Sequence, residues 1–229
     1  MDFNLFKRVI NSINILKEQL LDLIYKRKCV GCGCSINDGV LCKNCLKDVQ
    51  NLPYFPQTII NGYPVYSVFY YEKGMKSLVH RLKFHHHKIC AYYAANYIFN
   101  YIKEIKDIDF NNAVLIPVKT HKKNYYKRGY DNVLEIGKEL SKMSKMPLYD
   151  NVLSKIKYTI PQYKISAKDR KKNVLDSFKL DKNFKTDKLI IVLDDVVTTG
   201  STLDVITSLF KENGFCNLVC LTLCKAKNF

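Results

Sequence analysis

Residues 190–202 read Ile-Ile-Val-Leu-Asp-Asp-Val-Val-Thr-Thr-Gly-Ser-Thr. Four apolar residues predict a buried strand, with Asp194 and Asp195 following at its carboxyl end. The turn after them offers hydroxyls from Thr198, Thr199, Ser201 and Thr202, and backbone N–H groups that Gly200 leaves approachable. A helix begins there, so the turn lies at the positive end of a helix dipole, where oxyanions bind. Carboxylates just ahead of it accept hydrogen bonds from sugar hydroxyls and repel phosphate. A phosphorylated sugar fits both halves. The competing reading, two solvated acids at a strand end, leaves the hydroxyl-rich turn without a purpose. The chain holds no G-x-x-x-x-G-K-[ST] loop. Gly31-x-Gly33 is followed by Ile36, where a dinucleotide fingerprint needs its third glycine.

A second cluster is built from Cys29-x-x-Cys32 and Cys42-x-x-Cys45, with nine residues between the pairs. That spacing points four thiolates at one tetrahedral zinc, and Gly31, Gly33 and Gly39 permit the tight turns. Four protein ligands close the coordination sphere, so the metal is structural and not catalytic. Cys34 is a substitute ligand that would break the paired spacing. Cys90, Cys216, Cys220 and Cys224 sit in apolar patterns and read as small core residues. The run His85-His86-His87 does not make a metal site, because adjacent helical residues point in different directions.

These groups need a frame. Phe3, Phe6, Val9, Ile13, Leu16, Leu20 and Leu23 recur at helical spacing, which predicts a packing helix over residues 3–25. Residues 52–64 read as a linker or an irregular connection. Strands are expected at 65–71, 113–116, 189–193 and 218–223, and helices at 75–84, 88–105, 131–143 and 202–212, the last closed by Asn213-Gly214. Alternating short apolar strands and amphipathic helices predict an α/β domain with a parallel sheet over residues 61–229. Residues 1–60 would form a separate helix and zinc-binding element. Pro117-Val-Lys-Thr120 ends a strand with its backbone turned toward a ligand, Lys127 and Arg128 stand beside Gly129 in a basic loop, and residues 155–172 read as a basic flap. Lys83 either meets a phosphate or is solvated.

The chain has 229 residues, with 37 Lys and Arg against 21 Asp and Glu, a net charge of +16. An excess of that size suits polyanions. Residues 117–172 hold 15 Lys and Arg against 5 Asp and Glu. A Lys-rich coding bias would spread the charge, so its concentration places it at the mouth of the phosphate site. No apolar run approaches the ~18 residues of a membrane helix. The segment 5–25 is broken by Asn11, Asn14, Lys17, Glu18, Gln19 and Asp22 and has no signal-peptide character. A cytoplasmic setting is expected, where nine cysteines do not form disulfides.

The 190–202 segment resembles the signature with which type I phosphoribosyltransferases bind 5-phosphoribosyl-1-pyrophosphate (PRPP). With the double Cys-x-x-Cys element, Leu78-Val-His-Arg-Leu-Lys-Phe84, Ile116-Pro-Val118, Lys127-Arg-Gly-Tyr-Asp-Asn132, Thr159-x-x-Gln162, Arg170-Lys-Lys-Asn-Val174 and Phe178, the chain is similar to the ComF family of bacterial competence proteins. Asp131-Asn132 and Lys157 depart from that family's usual Asn-Gln and Arg. The resemblance implies a phosphoribosyltransferase-like parallel sheet. It gives Asp194 and Asp195 the ribose hydroxyls and a catalytic place, and Val197, Thr198, Thr199, Gly200, Ser201 and Thr202 the 5′-phosphate. It sets Lys119 and Arg128 around the PRPP, with Mg²⁺ on pyrophosphate and ribose oxygens. It further implies DNA uptake during natural transformation, with incoming single-stranded DNA and other uptake proteins as partners on the inner face of the membrane.

Three classes of function follow. One is a Mg²⁺-dependent phosphoribosyltransferase in nucleotide or amine metabolism. Another is a DNA-handling module whose Tyr125, Tyr126 and Tyr130 stack on unpaired bases. The third, a PRPP-sensing regulator, ranks last, since no helix-turn-helix pattern is present.

Overall fold

The computed structural model describes residues 27–49, 51–84, 88–106, 108–157 and 177–229. The expected helix over 3–25, the triple histidine and most of the flap lie outside them, as do Thr159, Gln162 and residues 170–174.

A five-stranded sheet organises the chain. In space it runs β3 (Thr58–Ile60), β4 (Tyr63–Tyr70), β9 (Leu218–Lys225), β8 (Leu189–Val197), β5 (Ala113–Pro117). The last four strands are parallel, and only β3 is antiparallel to its neighbour. Side chains alternate between two cores. Leu115, Ile191, Leu193, Leu221 and Leu223 face helices α2 (Lys73–Phe84), α3 (Lys88–Lys103) and α5 (Asn132–Ser144). Val114, Ile116, Ile190, Val192 and Cys220 face helix α6 (Ser201–Glu212) and a small ribbon, β6 (Leu153–Lys155) paired with β7 (Phe178–Leu180). A sheet buried on both faces requires such continuous apolar strands.

Several expectations are corrected. The presumed linker contains β3, joined to β4 by Asn61-Gly62, both at positive φ, as a two-residue hairpin demands. Asn61 Nδ2 then donates to the Asp204 carbonyl, Thr207 Oγ1 and Ser208 Oγ, pinning the hairpin to α6. The sheet therefore takes in residues that the expected boundary at 60 leaves to the N-terminal element. Lys127 and Arg128 are not in a loop. They end a helix, α4 (Lys122–Arg128), stopped by Gly129 at φ 76°. No residue of α4 is buried, so it carries no apolar periodicity to read. Lys155, where the expected flap begins, is the last residue of strand β6. Cys216 is exposed in the turn before β9, whereas Cys90, Cys220 and Cys224 are buried.

The cysteine element comprises the two-residue strands β1 (Arg27–Lys28) and β2 (Ser35–Ile36) and a short helix, α1 (Lys43–Lys47). It is seated on α2. A Cβ at Gly74 would lie 2.9 Å from the Leu41 Cδ2 atom, so only glycine lets the two meet this closely.

Candidate functional site

The parallel strands β4, β5, β8 and β9 end on one side, the position where open α/β sheets take ligands. Strand β8 is longer than expected. Asp194 and Asp195 lie within it, with Asp194 paired in register to Thr222, because the β9 neighbour keeps supplying ladder partners beyond the apolar run. Successive side chains of a strand point to opposite faces, so the two acids have different surroundings.

Asp195 is buried, at 5% exposure. Lys83 Nζ lies 2.9 Å from its Oδ2 and 3.1 Å from its Oδ1. Asn132 Nδ2 donates to Oδ2 at 2.5 Å. The resemblance gives both acids to the ribose hydroxyls, and in the structure Asp195 is already held by Lys83 and Asn132. Asp194 is partly exposed, and its Oδ1 accepts the Asp195 backbone N–H at 2.8 Å. Burial, and then the neighbouring Asp195 charge, push the Asp194 carboxyl up to about 7. Lys83 and Lys155 pull in the opposite direction. Burial lowers the Lys155 ammonium, and Asp194 partly restores it.

The turn that follows has Val197 and Gly200 buried and Thr198 and Thr199 exposed. Thr199 Oγ1 and Ser201 Oγ are 2.9 Å apart. Gly200 takes φ 71° as the N-cap of α6, where no side-chain cap bond is made, so the first turn presents its backbone donors to an anion. The Phe229 ring packs beneath: a Cβ at Gly200 would lie 2.6 Å from its Cε2 atom.

Lys119 follows β5, its N–H bonded to the Pro117 carbonyl at 2.9 Å, in a tight turn at the same sheet end. The Arg128 guanidinium stacks over Phe84, 5.1 Å from the ring centroid. Among the described residues, the cation that pairs with Asp195 is Lys83, which the sequence left between ligand contact and solvent. Asn132, visible only as a departure from the family pattern, is the second partner. Among the tyrosines, Tyr125 and Tyr126 are exposed, while the Tyr130 hydroxyl donates to the Leu82 carbonyl.

The Sγ atoms of Cys29, Cys32, Cys42 and Cys45 all lie within 4.8 Å of one another. Tetrahedral Zn–S bonds of about 2.3 Å put thiolates about 3.8 Å apart, and Cys32 and Cys42 are at 3.7 Å. The Cys42 N–H points at Cys29 Sγ and the Cys45 N–H at Cys42 Sγ, donors that suit metal-bound thiolates. A Cβ at Gly31 would come within 2.9 Å of Cys45 Sγ. The four cysteines thus fit a metal such as zinc. Cys34, exposed beside them, stands outside the four.

The chain is similar to competence protein F of Haemophilus influenzae. The two are 29% identical over 178 residues, 76% of this chain and 73% of that protein. The DNA utilization protein YhgH of Salmonella typhimurium is 26% identical over 164 residues, 69% of this chain and 70% of that protein. YhgH of Shigella flexneri is 29% identical over 111 residues, 48% of each chain. No family model matches the chain. Among the described residues, no helix is long and apolar enough to cross a membrane.

Proposed function

We propose that this chain is a ComF-type protein that binds PRPP with Mg²⁺ and serves DNA uptake by handling incoming single strands on the cytoplasmic side. The observation that carries the PRPP reading is the acid pair running directly into a turn whose helix lacks a side-chain cap. Sugar hydroxyls meet Asp194, the 5′-phosphate meets the N–H groups of residues 198–202, and pyrophosphate faces the turn at Lys119. Mg²⁺ is a hard ion and comes with the pyrophosphate oxygens. The DNA role is supported by the names of the similar proteins and by the basic character of residues 117–172. Other DNA-uptake proteins are the expected partners.

Thermal denaturation with PRPP and Mg²⁺ tests the reading. The wild-type chain should gain several degrees, and Asp194→Asn should gain none. A wild type unmoved by millimolar PRPP would remove the assignment. Pyrophosphate release in the presence of bases or amines separates a transferase from a binding module.

A further inference from the structure

We infer that Lys83 and Asn132 are positioning residues: they clamp Asp195 against α2 and α5, and so leave Asp194 as the carboxylate that meets the sugar. This inference rests on the PRPP reading of the site.

Asp195 has little acceptor capacity left for a ligand. Its two oxygens take both contacts from Lys83 and the bond from Asn132. A buried carboxylate with a cation and a neutral donor is satisfied and fixed in direction. Asp194, one residue earlier on the other face of β8, is the more exposed acid, and its Oδ1 is turned by the Asp195 N–H.

Two adjacent carboxylates repel, and one of them takes up a proton unless a cation compensates. Lys83 supplies that cation from α2. Among the described residues, the other charged and titratable groups facing the pair are Lys155 from β6, Asp131 before α5, Tyr71 after β4, and Cys220 and Cys224 from β9. Asn132 is itself held. Asp131, buried at the N-cap of α5, accepts from the Leu134 N–H at 2.9 Å and from the Thr120 N–H at 2.5 Å. The turn after β5 and the clamp on Asp195 therefore share one support.

A hydroxyl donor binds best to an ionised Asp194, so PRPP affinity should rise with pH through the titration of Asp194. Loss of Lys83 removes the compensating charge and should move that midpoint upward. The experiment is calorimetric titration of PRPP with Mg²⁺ between pH 5.5 and 8.5 on wild type, Lys83→Met, Lys83→Arg and Asn132→Ala, with folding checked by circular dichroism. Lys83→Met should weaken binding at least tenfold at pH 7 and raise the midpoint by about one pH unit. Lys83→Arg should restore most of both. Asn132→Ala removes no charge and should weaken binding several-fold; it carries the test if Lys83→Met does not fold. Wild-type binding with unchanged affinity and midpoint in the folded variants would overturn the clamp. A wild type that does not bind PRPP would instead overturn the proposed function.

Discussion

At the scale of single residues, the clearest consequence is a pH slope. The Asp194 carboxyl titrates at about 7 in the folded chain and near 4 when unfolded. Between those values the native state holds more protons than the unfolded one. Stability from this group therefore falls as pH rises from about 4 to 7 and is flat above. Asp194→Asn should flatten that part of the melting-temperature profile and stabilise the ligand-free protein at pH 7.5. An Asn variant with the wild-type slope would show that other groups set it. Gly200 faces two demands. Its left-handed φ costs a side chain about 1–2 kcal/mol, and the Phe229 ring occupies the Cβ position. Gly200→Ala should lower the melting temperature by several degrees, and adding Phe229→Ala should recover the part caused by the ring. Equal effects in both backgrounds would mean the ring yields freely. The candidate site is legible in the sequence because acids, hydroxyls and glycine sit together there. Lys83 and Asn132 lie 112 and 63 residues from Asp195, so only the fold brings them to it.

At the scale of elements, legibility followed burial. Strands β4, β5, β8 and β9 are nearly continuous apolar runs and were placed within a few residues. Helix α4 was missed because it buries nothing. Ribbon β6–β7 was missed because three-residue strands give too short a pattern. The β3–β4 hairpin did announce itself, through Asn61-Gly62, yet Pro53, Pro56 and Pro64 around it suggested a linker. Asn61 ties that hairpin to α6 with bonds to Asp204, Thr207 and Ser208. Asn61→Ala should cost about 1–3 kcal/mol, the usual effect of stranding buried donors and acceptors; denaturant unfolding measures it. A change under 0.5 kcal/mol would mean water replaces the amide. Helix α2 is the element that joins the two chemical clusters. Gly74 near its start packs on Leu41 of the cysteine element, and Lys83 near its end holds Asp195.

At the scale of the whole molecule, charge is unevenly spread. Helix α4 carries four Lys and one Arg among its residues and the preceding Lys119, with no acid, whereas Lys138 and Lys142 on α5 are paired with Glu135 and Glu139. Exposed Tyr125 and Tyr126 sit within the unbalanced segment. If single-stranded DNA binds here, affinity should fall steeply with salt. Replacing Lys122, Lys123 and Lys127 by Gln should flatten the slope in a filter-binding series; an unchanged slope would place the DNA elsewhere.

The seat of Leu41 on Gly74 has a practical bearing on how the proposed magnesium dependence is tested. A chelator strong enough to strip Mg²⁺ from PRPP also competes for an ion held by the four cysteines. Once that element loosens, α2 loses its support, and Lys83 with it. Loss of PRPP binding in EDTA would then imitate a magnesium requirement. The sound control omits Mg²⁺ from chelator-free buffer and assays retained zinc in the same sample.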